Sequence, residues 1–428
     1  YALVPGTKFF RAPSTIFFIT TFAIAVMAAL GTERLLAGKF SIRYVYGWAI
    51  GAAVVALIAL AGGFTALAQG VAVSPDLAGR IDINAPDVKI GALRSLLFVV
   101  LTCGTIFMVM RGKLAPRIAG WALVGLVVVD LWSVERLYWS FSAPAKTLYA
   151  SDTSVEFLKK IDQPMRVLTI PLEGAPMAPH DPTLMGDGLM VHGIRVVQGY
   201  HGNELGRYDN FLQQDMVANP TMWTLLNTEF LLVNTDSIAL PGARRVVGPV
   251  VDAAGTRVTL YQLPGEHPFA WVAPVMIKYP DSAVVQAFHA NNFPVHSVAI
   301  FDTSSRVTAA NVSTIPGPLP MTTHVDSYAP GHIALTLSAP APAASALVVS
   351  ENYYPGWHAT VDGKPANAER ADLTLIGIPL PAGAKKVELT FSSDTYKEGK
   401  EITLIAIALS IAAVLAGLFV PGSKERAA

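Results

Sequence analysis

The sequence predicts a multi-pass α-helical membrane protein carrying an extracytoplasmic domain of mixed α/β and antiparallel β-sandwich type. Three observations predict it. Of 428 residues, 52% are hydrophobic and only 14% charged, whereas a soluble chain carries roughly a quarter charged. Five stretches are apolar over about 20 residues, the length that crosses a bilayer at about 1.5 Å per helical residue. From Phe141 to about Lys400 the apolar runs shorten and turn residues return at short intervals.

The chain opens on Tyr1 in "YALVPGTKFFRAPS", with no initiator Met and no charged-then-apolar signal. This reads as the interior of a longer protein, with residues 1–13 as an outer loop. Four transmembrane helices are expected within 14–140, roughly Ser14 to Gly31, Val45 to Ala68, Gly91 to Met110 and Ile118 to Leu137. A fifth, Glu401 to Val420, falls within 399–420, before a cytoplasmic tail at 421–428.

Lys and Arg accumulate on the cytoplasmic side of a membrane. Arg34, Lys39 and Arg43, then Arg111, Lys113 and Arg117, then Lys424 and Arg426 therefore mark the inner links. The large domain falls outside, in the bacterial cytoplasmic (inner) membrane setting that the family resemblance below implies. A counter-signal lies in the second outer loop, where Arg80, Lys89 and Arg94 accompany Asp76, Asp82 and Asp87. Trp132, Tyr138 and Trp139 fit an aromatic belt at the outer end of the fourth helix.

The domain divides into a mixed α/β lobe at 141–317 and a β-sandwich lobe at 318–398. "SDTSVEFLKKID" has capping-box spacing, Thr153 with Glu156, and predicts a short helix. "MRVLTIP" and "TEFLLVN" read as buried strands and "VVQAFHANN" as a helix. In the last lobe "HIALTLS" puts Ile333, Leu335 and Leu337 on one face, and "KVELTFS" does the same with Val387, Leu389 and Phe391. Between them lie "ALVVSE", "WHATV", "KPANA" and "LTLIGIP". Asp362-Gly363 is a two-residue hairpin signal, since Gly tolerates the positive φ of a tight turn.

Charge and cysteine exclude several classes. Lys plus Arg number 31 and Asp plus Glu number 31, so no cationic excess argues for nucleic acid. The single Cys103 allows neither a disulfide framework nor a thiolate metal site within the chain. His180, His267, His296 and His332 lack metal-ligand spacing, so no metal and no cofactor is expected.

"YYPGWHATVDGKPA" followed by "GIPLPAGAKKVELTF" resembles the C-terminal region of YfhO-family bacterial membrane proteins. "FFRAPS", "VVQGYHGNELGRYDNFL" and "LLNTEFLLVN" resemble further segments of that family, in the same order. The resemblance implies a GT-C glycosyltransferase-like protein, which takes a sugar from a polyprenyl-phosphate carrier and attaches it to a cell-envelope glycan. It also places the family's catalytic carboxylate in a first outer loop, ahead of this C-terminal half, so the catalytic residues here are unknown and enzymatic activity is left open.

Several residues are candidates for such a role. Lys8 and Arg11 could meet a lipid pyrophosphate, Arg with bidentate geometry, or simply snorkel to the interface. Asp130 is an acid within a span, where a partner or polar cavity is expected; Arg11 is a plausible partner. Asp76, Asp82 and Asp87 lie at the level where an acceptor base would work, yet nothing pairs them in a diagnostic way, and they read as solvated loop charges. Tyr353, Tyr354 and Trp357 could stack on a sugar or close the sandwich core. His201, Glu204, Arg207 and Tyr208 form a polar cluster that could contact glycan or tie the lobe to the membrane. The alternative from another class is a non-catalytic membrane scaffold or assembly subunit, binding a protein partner through its outer domain.

Overall fold

The computed structural model describes residues 17–39, 41–162, 164–199, 204–212, 219–289 and 293–419. It divides into two compact units, 1–142 and 143–428.

The first unit is helical: α1 (Phe17–Leu36), α2 (Ile42–Leu60), α3 (Gly63–Gly70), α4 (Pro75–Met110) and α5 (Pro116–Glu135). All but α3 are long and apolar enough to cross a membrane, and Asp394–Phe419 in the second unit makes five among the described residues, the number expected. Two boundaries differ most from the sequence reading. The second span stops at Leu60 because Gly62 turns into the left-handed region at φ 82°, and α3 starts afresh. The expected second outer loop is helical, since α4 begins sixteen residues before Gly91, at Pro75. Ser74 caps it by accepting from the Leu77 N–H at 3.3 Å, Pro75 suits the first helical position, and Asp76 pairs with Arg80 one turn on at 3.1 Å. Asp82, Asp87, Lys89 and Arg94 therefore lie on a helix. Their charges and the internal Pro86 disguise it from a hydropathy reading.

The second unit opens with α6 (Ala145–Leu148) and α7 (Thr153–Leu158). The expected capping box is replaced by Asp152, whose carboxylate accepts from the Ser154 and Val155 N–H groups at 2.9 Å each. A charged acceptor at the helix start outcompetes a hydroxyl. Glu156 instead takes Ser151 Oγ and, at 3.3 Å, Lys159 Nζ.

A mixed sheet follows: β1 (Arg166–Ile170), α8 (Pro182–Met185), β2 (Arg195–Val196), α9 (Gly206–Leu212), α10 (Pro220–Leu225), β3 (Thr228–Val233), β4 (Arg244–Val251) and β5 (Arg257–Gln262). Its strand order is β2-β1-β3-β5-β4, with β1 parallel to both neighbours. One face sends Val167, Phe230 and Leu232 onto Val155 and Leu158 of α7. Its other face sends Leu168, Leu231 and Val233 into a second core. Burial on both faces explains why "MRVLTIP" and "TEFLLVN" read as continuous apolar runs.

The remaining strands form two sheets: β6 (Ala270–Ala273), β7 (Val275–Lys278), α11 (Asp281–His289), β8 (Val298–Phe301), β9 (Thr323–Ala329), β10 (His332–Leu337), β11 (Ser345–Asn352), β12 (Trp357–Val361), β13 (Lys364–Ala366), β14 (Glu369–Ala371), β15 (Leu375–Leu380) and β16 (Lys386–Phe391), then α12 (Asp394–Phe419). Their orders are β6-β11-β15-β14-β8-β7 and β13-β12-β16-β10-β9. The period-2 alternation of β11 joins the layers. Leu347 and Val349 meet Ile333, Leu335, Val387 and Leu389 of the five-stranded sheet, while Ala346 and Val348 turn to the core shared with the mixed sheet. The sandwich thus draws β6, β7 and β8 from before residue 318.

The hairpin turn has both central residues at positive φ, Asp362 at 49° and Gly363 at 76°, as a type I′ turn requires. The Asp362 carboxylate also accepts from the Lys386 N–H at 2.9 Å, pinning the turn to β16. Phe391, expected on the buried face of β16, is 39% exposed. Its ring instead supports Trp357 edge-on at 5.4 Å.

Candidate functional site

The second unit holds a cavity of about 720 Å³, within the range of small-molecule sites. Its walls come from β2 and the residues on either side of it, from α9, and from the ends of β9 and β11. The apolar lining includes Met190, Ile194, Val196, Val197, Leu205 and Leu212.

The floor is charged. Arg166 opens β1 and Arg195 opens β2, so the parallel pairing sets them side by side. Glu351, near the end of β11, pairs with Arg195 at 2.7 Å and with Arg166 at 3.6 Å. Arg166 spends its other donors on the Leu226 carbonyl at 2.8 Å, Ser350 Oγ at 2.9 Å and the Ser350 carbonyl at 3.0 Å. Ser350 Oγ in turn donates to the Leu225 carbonyl at 2.8 Å. The arginine is therefore a buried strut between the mixed sheet and the sandwich. Arg195 is less satisfied: its guanidinium lies 4.8 Å from the Tyr328 ring centroid and 5.5 Å from that of Phe269. Burial, and then the neighbouring Arg166 charge, pull its pKa down to about 10. Tyr328 donates to Glu351 at 3.2 Å, and burial raises its phenol pKa.

α9 forms one wall. Tyr208, Phe211 and Leu212 share a face at helical spacing. Phe211 is buried and meets Phe288 edge-on at 5.9 Å. Tyr208 donates to the Val197 carbonyl at 2.5 Å, and burial raises its pKa. Glu204 and Asp209 line the same cavity, as does Asp187 from across it. Arg207 points elsewhere, to Asp281 at 2.8 Å. Asp281 also holds Arg370 at 2.8 Å, so Arg207 anchors α9 to α11 and β14.

Of the polar cluster singled out in the sequence, the structure thus brings Glu204 and Tyr208 to the cavity and leaves Arg207 outside its lining; His201 lies outside the described residues. Tyr353 and Trp357 pack against the sandwich core, and Trp357 Nε1 donates to the Asn352 carbonyl at 3.2 Å. Tyr354 is half exposed, tilted 56° to Phe391. Arg166, Arg195, Tyr328 and Glu351 were not singled out in the sequence. The signal for the three charged residues is a charge directly abutting an apolar strand: "MRVLTI", "GIRVV" and "LVVSE".

A second, smaller cavity of about 390 Å³ lies in the helical unit, lined by Tyr44, Trp48, Phe98, Cys103, Arg94 and Asp130 among others. The Arg11 proposed as partner of Asp130 lies outside the described residues, which supply Asp130 with another cation. Asp130 pairs with Arg94, which also donates through Nε to Ser133 Oγ at 2.7 Å. Arg94 lies on α4 and Asp130 and Ser133 on α5, so the pair joins the two helices. Lys8 and Arg11 themselves lie outside the described residues.

A family model described as the bacterial membrane protein YfhO matches residues 321–403. The match spans the five-stranded sheet, the start of α12 and four residues of the cavity, Tyr328, Pro330, Glu351 and Asn352. It supports the YfhO-family reading of this membrane protein. No curated protein and no solved structure matches the chain.

Proposed function

With the YfhO-family match over residues 321–403 as the premise, we propose that this chain is the C-terminal part of a membrane glycosyltransferase-like protein. The donor is a polyprenyl-phosphate sugar, the second unit faces outward from the bacterial inner membrane, and its cavity positions the acceptor glycan. The observation that carries this reading is the cavity itself. It sets apolar walls, two tyrosines and convergent Arg, Glu, Asp and Asn side chains around a space of about 720 Å³, the combination that orients a hydroxylated ring. In this division of labour the helices shape the lipid-carrier cleft. The Arg94–Asp130 pair lines its own cavity there. No catalytic base is assigned to this chain.

Genetic complementation tests the proposal. The full-length gene carrying Asp187→Asn with Glu204→Gln should fail to restore glycan decoration of the cell envelope, with membrane levels of the protein unchanged. Undiminished decoration would reject the acceptor role and favour the scaffold reading.

A further inference from the structure

The charge balance of the cavity floor goes beyond shape. Two guanidinium groups share one carboxylate: Arg195 and Arg166 both lean on Glu351, at 2.7 and 3.6 Å. All three side chains are largely buried, at 16%, 7% and 19% exposure, so solvent screens the excess positive charge weakly. Arg166 finds three neutral oxygens besides the carboxylate. Arg195 does not, for its Nη1 is shielded from solvent and donates to nothing among the described residues. The Tyr328 and Phe269 rings beside it offer π faces but no strong acceptor. Arg195 therefore lacks an acceptor of its own, and among these three side chains one negative charge is missing beside it.

Asp187, Glu204 and Asp209 face the same space. Three carboxylates there disfavour a small, highly charged anion and favour a ligand that brings hydroxyl donors with its charge. Resting on the acceptor-site reading above, we propose that this cavity takes a sugar that itself carries a carboxylate, a hexuronate unit of a glycan. The uronate supplies the negative charge missing beside Arg195, and its ring hydroxyls donate to the carboxylates of Asp187, Glu204 and Asp209. A carboxylate on a guanidinium is the strong, geometrically matched pairing for this role.

The test titrates the full chain in nanodiscs, by calorimetry, with tri-galacturonate, with its fully methyl-esterified form and with inorganic phosphate. The ester keeps the ring hydroxyls and removes the charge. Tri-galacturonate should bind at least about 10-fold more tightly than the ester, the factor that one charge-assisted hydrogen bond of about 1.5 kcal/mol supplies. Arg195→Gln leaves Arg166 and Glu351 balanced and should abolish that preference, whereas Arg195→Lys should keep most of it. Hydrogen exchange of β1 and β3 in the same samples checks folding. If Arg195→Gln unfolds, the wild type and Arg195→Lys decide the matter through the acid-to-ester ratio alone. Equal binding of acid and ester would overturn the uronate assignment while leaving an acceptor site. Binding of neither would overturn both, and phosphate binding as tight as the trimer would replace the sugar with a simple anion hole.

Discussion

Glu351→Gln removes the one carboxylate that both floor arginines share. Glu351 is 19% exposed, Arg166 7% and Arg195 16%, so both cations would remain in a poorly hydrated place. Breaking a buried ion pair by deleting one partner costs roughly 3–5 kcal/mol. The lower end applies, because Arg166 keeps three oxygen acceptors and Arg195 keeps its aromatic contacts. Hydrogen exchange on the full chain in nanodiscs reads this locally. The amides of β1 and β11, which the Arg166–Ser350–Glu351 contacts tie together, should exchange about 150-fold faster for a loss of about 3 kcal/mol. Glu388→Gln serves as control, since its 3.0 Å partner His332 is 42% exposed and surface pairs contribute little. Exchange in β1 and β11 no faster than in the control would show that the floor is not held by this carboxylate.

Other predictions follow from individual packing and charge contacts. Arg94→Ala and Asp130→Asn should be non-additive by about 1 kcal/mol in denaturant unfolding in mixed micelles, and additivity would break the pair. Burial, and then the neighbouring Asp181 carboxyl, raise the Asp252 pKa from 3.8 to about 7. A raised folded-state pKa gives stability that is full below about pH 4 and lost as pH rises through about 7. Asp252→Asn should therefore slow exchange of β4 and β5 at pH 8 and leave it near wild type at pH 4; equal effects at both values would contradict the raised pKa. Gly377→Ala would set a Cβ 2.6 Å from Ala371 Cβ and 2.7 Å from the Phe301 ring. An overpacking loss of about 1–3 kcal/mol is expected, read as faster exchange in β14 and β15, and unchanged protection there would show that β8 and β15 can part freely.

Hydropathy and periodicity made most of the architecture legible. The five spans, the alternation of β10, and the Asp362-Gly363 turn all follow from local pattern, and local pattern is what a sequence displays. Where the reading failed, a competing interaction was non-local or a few residues away. Asp152 displaced Thr153 as helix cap. The ion pair at Asp76 and Arg80, with a serine cap, made a helix of an apparent loop. The Arg94 partner of Asp130, 36 residues back on α4, was not foreseen, while Arg11 lies outside the described residues. One wall of the cavity was foreshadowed by the Glu204–Tyr208 cluster. Its floor was not, because Arg166, Arg195 and Glu351 are up to 184 or so residues apart, like the Arg166–Ser350 bond. Only the parallel pairing of β1 with β2 and the long return of β11 bring them together.

The most direct test of the account maps where an acceptor sits. Hydrogen exchange of the full chain in nanodiscs, with and without tri-galacturonate, should show protection in 194–199 and 204–212, the strand and helix that wall the cavity. Protection confined to the 357–366 hairpin, or absent from the second unit altogether, would contradict the assignment of this cavity as the acceptor site.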